Sequence, residues 1–225
     1  MILHETSKIQ VIATEKSGNR KIGKALQIWI VPKNETVTES RRNGNDSKLQ
    51  CKGCPLASNH GCYVGSYYVD AIQKSAWAGK KPRAKNRQQI VDLVKGKFVR
   101  FGAYGNPSMI PLSLVKLIAD NASGWTGYFH DWHQMSQTKA KKYAHYFMVS
   151  CEPSNMHEAL SKGFRAFVTR SPSDTIPEGL TDCPSSRGVT CSQCQLCSGT
   201  SKRARSISIP VHGYQTKSAT KAISV

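Results

Sequence analysis

The stretch "KFVRFGAYGNPSMIPLSLVKLIADNASGWTGYFHDW", residues 97–132, changes its hydrophobic period twice. Its first part, "KFVRFGAY" (97–104), is short and rich in aromatic and β-branched residues, the composition of a strand. In "PLSLVKLIADNA" (111–122), Leu114, Leu117 and Ile118 recur at three- and four-residue steps, the signature of one buried helical face. "TGYFHDW" (126–132) then reads as a second strand. Strand, helix and strand in so short a span favour a crossover between parallel strands.

The same alternation extends outward. "ALQIWIV" (25–31), "HYFMVS" (145–150), "FRAFVT" (164–169) and "SISIPV" (206–211) read as strands. "SYYVDAIQKSAW" (66–77), "NRQQIVDLV" (86–94) and "SNMHEALSKG" (154–163) read as helices, the last with Ser154 as N-cap and Gly163 at its C′ position. The expected fold class is α/β: a partial (β/α)6-type barrel or an open parallel sheet, with cysteine-rich metal-binding loops. Residues 1–24 read as an N-terminal extension, 25–213 as the barrel-like domain including the cysteine-rich segment 183–197, and 214–225 as a basic C-terminal tail. The segments 33–54 and 171–191, rich in Asn, Ser, Pro, Gly and charge, read as loops.

A chain of 225 residues carrying 32 Lys and Arg against 14 acids has a formal charge of +18. Such an excess repels itself in the compact state and points to a polyanionic partner, nucleic acid or nucleotide. The basic runs "KKPRAKNR" (80–87), "KAKK" (139–142) and "SKRARS" (201–206) are the candidate phosphate contacts. Lys80, Lys81, Arg83, Lys202, Arg203 and Arg205 lead them, with Tyr63, Tyr67, Tyr68 and Trp77 as stacking surfaces. No stretch approaches the roughly 18 to 20 apolar residues that span a bilayer, so no membrane partner is expected. The opening "MILHETSKIQVIATEK" lacks a basic segment leading into an apolar run. The expected compartment is therefore the cytoplasm, where clustered cysteines bind metal more often than they form disulfides.

In parallel α/β sheets the loops leaving the carboxyl ends of the strands gather on one face, where ligands bind. The reactive residues follow predicted strands, so all are expected on that face. The box Cys183-x7-Cys191-x2-Cys194-x2-Cys197 supplies four thiolates. Its C-x2-C-x2-C run favours a [4Fe–4S] cluster over zinc, whose structural sites more often use two separated knuckles. The group Cys51-x2-Cys54-x7-Cys62 leaves a fourth coordination position, open to His60, Cys151 or an exogenous ligand. Zinc with three Cys and one His, or a cubane with one open iron, both fit that spacing. Of the remaining candidates, His130, Asp131 and His133 could serve a proton relay or a second metal, with His130 and Trp132 on opposite faces of a strand. Their H-x2-H spacing argues against a replication-type nickase. Glu152, beside Cys151, could orient a ribose or amine, and His212 reads as structural.

With three cysteines after the first confident strand and the glycine-rich "RFGAYGNP" (100–107) closing the second, the layout resembles the radical S-adenosylmethionine enzymes. Those enzymes are partial (β/α)6 barrels with a three-cysteine cluster loop. Their usual motif is C-x3-C-x2-C, where this chain has C-x2-C-x7-C. The resemblance implies one or two [4Fe–4S] clusters and S-adenosylmethionine as cofactors, with Gly102, Gly105 and Asn106 against the methionine part of the latter. The chain is also similar, over residues 50 to 213, to a group of uncharacterised phage- and plasmid-encoded proteins. The shared features are "GCYV", "RFGAYGNP" and "CSQCQLCSGTSKRARSISIPVHG". Two functions follow as expectations. One is an iron–sulfur protein of the radical type acting on nucleic acid or nucleotide; the other is a non-catalytic zinc protein that binds DNA or RNA.

Overall fold

A computed structural model describes residues 1–15, 19–58, 61–212 and 216–223. Two five-stranded sheets form the centre. The first contains β1 (Ile2–Glu5), β2 (Ile9–Thr14), β3 (Leu26–Pro32), β4 (Phe98–Tyr104) and β5 (Gly124–Thr126), side by side in that order. β1, β2 and β3 run antiparallel to their neighbours, whereas β3, β4 and β5 are parallel. The second sheet is wholly parallel: β6 (Tyr128–Phe129), β7 (Met148–Cys151), β8 (Ala166–Arg170), β10 (Ile207–Pro210) and, at the edge, β9 (Thr181–Asp182).

A single residue, Gly127, separates β5 from β6. Its N–H donates to the Cys197 carbonyl at 3.0 Å and its own carbonyl accepts from Met148 N at 3.1 Å. A Cβ at this position would stand 2.8 Å from the Phe147 ring, so only glycine lets the strand pass from one sheet to the other.

The helices follow the strands. They are α1 (Val37–Arg42), α2 (Ser66–Trp77), α3 (Arg87–Val94), α4 (Leu112–Asn121), α5 (Gln137–Ala144), α6 (Met156–Ser161), α7 (Cys191–Cys194) and α8 (Thr216–Ile223). Local chemistry sets their starts. Asn86 caps α3 by accepting from Gln89 N, Ser136 caps α5 through Lys139 N, and Thr36 with Glu39 forms a capping box on α1. Strand residues that face the helices build the main core, including Val99, Phe101, Phe129, Phe147, Val149 and Val168. Val115, Ile118 and Ala119 of α4 are buried against them. Each large side chain so buried contributes about 1.5 to 3 kcal/mol.

Several expectations need correction. Residues 1–24 are no mere extension, because β1 and β2 lengthen the first sheet; the short runs "ILHE" and "IQVIAT" gain stability by pairing, β1 with β2 and β2 with β3. The buried stripe of α4 is centred on Val115, Ile118 and Ala119, with Leu114 and Leu117 only partly covered. The start of α6 is set by a turn in which Glu152 and Asn155 bond reciprocally, not by Ser154. The supposed loop 33–54 carries α1, and the C-terminal tail carries α8.

Glu5 ties the edge together. Its carboxylate accepts from Gln10 and meets Lys33 at 2.9 Å and Arg83 at 3.0 Å. The Gln10 hydrogen bond, followed by the two cations, holds its pKa down at about 2 against an ordinary 4.5. A depressed carboxylate contributes stability that is present above pH 4.5 and lost as pH falls towards 2. Urea denaturation of Glu5→Gln should show a loss of about 1 kcal/mol at pH 7. The same variant should show a shallower loss of stability than the native chain across that acid range.

Candidate metal and ligand site

A cavity of about 180 Å³ opens between the strands, on the face turned away from the core-covering α4, with Cys191 of α7 and Ala219 of α8 reaching its wall. The period of two dictates its walls. Arg100 of β4, Thr126 of β5, Tyr128 of β6, Ser150 of β7, Phe167 and Thr169 of β8, and Ile209 of β10 all line it, while the intervening Val99, Phe101, Phe129, Val149, Ala166 and Val168 enter the core. Tyr128 and Phe167 stack inside it, their centroids 4.3 Å apart.

The first cysteine group and the glycine-rich segment meet at the carboxyl ends of β3 and β4. Cys51, Cys54, Cys62, Gly102, Gly105 and Asn106 all line the cavity. Gly102 and Gly105 have φ of +67° and +79°, and a Cβ on Gly105 would lie 2.5 Å from the Ile30 carbonyl. Only glycine permits this close approach. Asn106 is a tie. Its N–H donates to Gln50 O at 2.7 Å, its Nδ2 to Lys52 O at 2.8 Å, and its Oδ1 accepts from His130 N at 3.1 Å. Its side chain therefore holds the cysteine loop to the turn after β6, and Asp46 supports the loop by accepting from Ser58 N and Ser58 Oγ. Asp46 escaped the sequence reading; a buried acid followed by serine resembles any polar loop.

The thiols are unusually shielded. Burial pushes Cys51 well above the ordinary thiol range, and Cys54 to about 12, with the neighbouring cysteines adding to both. Cys62 is also raised by burial, although Arg41, whose Nη2 lies 2.9 Å from its sulfur, counters that effect. Buried thiols of this kind stay protonated, and inert as nucleophiles, until a cation replaces the proton.

The second box arrives from the opposite side. Cys191 N donates to Lys21 O at 2.9 Å and Ser192 N to Ile22 O at 3.1 Å, so α7 sits against the chain entering β3, near the amino ends of the strands. The expectation that every reactive group shares the carboxyl-end face is thus corrected: β9 is two residues long, and the chain beyond it reaches Lys21 and Ile22, ahead of β3. Cys183, Cys191 and Cys197 still line the main cavity, giving it six of the eight cysteines. All four cysteines of the box surround an adjoining cavity of about 20 Å³. Among the described residues, no three His, Cys, Asp or Glu side chains stand close enough to grip a metal ion as they are. The donor chemistry nevertheless suits a thiophilic centre.

The other predicted residues scatter. Cys151 is 1% exposed within the apolar core, one step out of phase with Ser150, and so faces away from the cavity; it is removed as a candidate ligand. His60 lies outside the described residues. The expected placement of His130 and Trp132 on opposite strand faces fails, because residues two apart share a face and because the strand ends at Phe129; Asp131–Gln134 form a 3₁₀ turn. Of the polar trio only His130 lines the cavity, with burial pulling its pKa down to about 4 and leaving a neutral imidazole at pH 7. Asp131 accepts from Ser108 Oγ at 2.6 Å. His133 stacks on Trp132 and meets Glu158 at 3.0 Å on the surface. Glu152 is engaged with Asn155. His212, read as structural, lines the cavity beside Tyr63, with rings 6.1 Å apart.

Lys80, Lys202, Arg203 and Arg205 are exposed, Lys81 is partly so, and Arg83 is engaged by Glu5. Tyr67 is 80% exposed, and Tyr68 and Trp77 are each 42% exposed. No helix among the described residues is long and apolar enough to cross a membrane. No family model, curated protein or solved structure matches this chain.

Asn106→Ala would strip the Lys52 carbonyl and the His130 N–H of their partner. Thermal or urea unfolding should register a loss of about 2 to 4 kcal/mol. Titration of the native fold with a thiol reagent should show faster modification of Cys51 and Cys54.

Proposed function

We propose that this chain is an iron–sulfur protein with a radical S-adenosylmethionine-type partial (β/α)6 barrel, acting on a nucleotide or nucleic acid. The observation that carries the reading is the company kept by Cys51, Cys54 and Cys62. They share one cavity with the left-handed glycines Gly102 and Gly105, at the carboxyl ends of consecutive parallel strands. The strand order supports it: β3, β4, the β5–β6 pair, β7, β8 and β10 follow one another in parallel, as in a partial barrel.

In this reading Cys51, Cys54 and Cys62 would hold the cluster, which when bound supplies a one-electron reductant and an open coordination site. Asn106 fixes the loop that presents the thiols, and Gly102 and Gly105 keep their strand end free of side chains. Arg41, against Cys62, balances negative charge at that sulfur. His130, neutral and unpaired with any acid, is available as a hydrogen-bonding group on the cavity wall. The stacked Tyr128 and Phe167 exclude water from the interior. The exposed lysines and arginines, with Tyr67 and Trp77 outside the cavity, would engage the phosphates and bases of a larger substrate.

The narrow cavity of the second box favours a different occupant there. At about 20 Å³ it offers the room of one water-sized sphere, suited to a single zinc ion rather than a cubane. A zinc-only protein that binds DNA or RNA without catalysis is accordingly the second reading.

Anaerobic purification separates the two. The proposal expects a brown protein absorbing near 400 nm, with iron and sulfide lost in Cys54→Ala and kept in Cys151→Ala. It also expects 5′-deoxyadenosine when the reduced protein meets S-adenosylmethionine. A colourless protein with stoichiometric zinc and no iron would refute it.

A further inference from the structure

Among the described residues four arginines are buried to more than nine-tenths: Arg41, Arg100, Arg165 and Arg170. Three are held by groups of the protein itself, although the Nε atoms of Arg41 and Arg165 find no partner. Arg41 donates to the Val64 carbonyl and the Cys62 sulfur. Arg165 donates to the carbonyls of Leu196, Gly199 and Arg205. Arg170 donates to Ser208 and the Asp174 carbonyl and pairs with Asp182 at 3.2 Å.

Arg100 differs. It is 6% exposed and alone of the four lines the cavity; like Arg41 and Arg165 it has no carboxylate partner among the described residues, and unlike them it donates to no backbone carbonyl there. Burial acts on it most, followed by the Tyr128 hydroxyl, which also hydrogen-bonds with it, the Tyr63 hydroxyl and the Cys191 thiol. Among the described residues no Asp or Glu lines this cavity, whereas Lys21 adds a second cation. A guanidinium withdrawn from water without an anion carries a large desolvation cost, and such charges are retained where a partner arrives from outside.

We infer that Arg100 anchors a binding site for the oxyanion of a small molecule, a phosphate or a carboxylate, that enters this cavity. The guanidinium offers two parallel N–H donors to such a group. Tyr63 and Tyr128, whose hydroxyls interact with each other, add O–H donors beside it. Tyr63 is 41% exposed, so the site has an opening at the rim. Arg100 shares the cavity with cysteines of both groups: Tyr63, which acts on it, follows Cys62 in the chain, and Cys191 belongs to the second box. The ligand's charged end would therefore sit deep, with its remainder turned towards Cys51, Cys54 and Cys62. The site stands whichever metal the cysteines take.

The test is calorimetric titration of the full chain, as purified, with inorganic phosphate, adenosine 5′-monophosphate and acetate. Saturable binding of the phosphates without acetate assigns a phosphate site, and the reverse assigns a carboxylate site. In either case affinity should fall at least about tenfold in Arg100→Gln and only partly in Arg100→Lys, with circular dichroism unchanged. In the native chain, phenylglyoxal labelling of Arg100, read by mass spectrometry, should be suppressed by the bound anion; this arm needs no variant. Equal affinity in Arg100→Gln, no saturable binding of any probe, or labelling indifferent to the anion would overturn the inference. So would an Arg100→Gln variant that loses metal but keeps anion binding, since the guanidinium would then be the counter-ion of the cysteine centre.

Discussion

The structure depends on the two-residue period of its parallel strands. From β4 to β10, one set of side chains must satisfy a hydrophobic core beneath the helices, and the alternate set is released to face a cavity. Phe101, Phe129, Val149 and Val168 belong to the first set; Arg100, Tyr128, Ser150 and Thr169 belong to the second. Because the two sets interleave, a single-residue slip would place Arg100 in the apolar core and Phe101 in the cavity. Register is thus the condition for both stability and chemistry, and the burial of Val115, Ile118 and Ala119 of α4 against one face enforces it.

Much of this was legible. The strands "KFVRFGAY" and "FRAFVT", and the helices at 66–77 and 87–94, declare themselves by composition and by caps such as Asn86. Where legibility failed, the determinant was non-local. "IQVIAT" is an ordinary short apolar run until β3 offers it a partner. Cys151 looks like a ligand beside Glu152, and only the phase of β7 turns its thiol into the core. The second cysteine box follows a strand, as ligand loops do, but β9 is too short to carry it to the expected end. Arg100 drew no notice, since one arginine in a basic chain carries no signal until its surroundings are known to lack acids.

The electrostatics of the cavity are set by absence of acid as much as by presence of base. A surface excess of positive charge is cheap in water, whereas Arg100 lies where solvent cannot screen it. The thiols nearby are held protonated by the same low polarity. Both conditions favour the arrival of opposite charge: a cation at the sulfurs, with loss of protons, and an anion at the guanidinium.

Gly127 carries a further consequence. One glycine is the seam between two sheets, and its amide is also the fastening for Cys197. Neither sheet can fray at this edge without releasing the other, and neither can do so without dislodging the cysteine box. The molecule's two halves are therefore spliced into one cooperative unit, and whatever tightens the box also stiffens the splice.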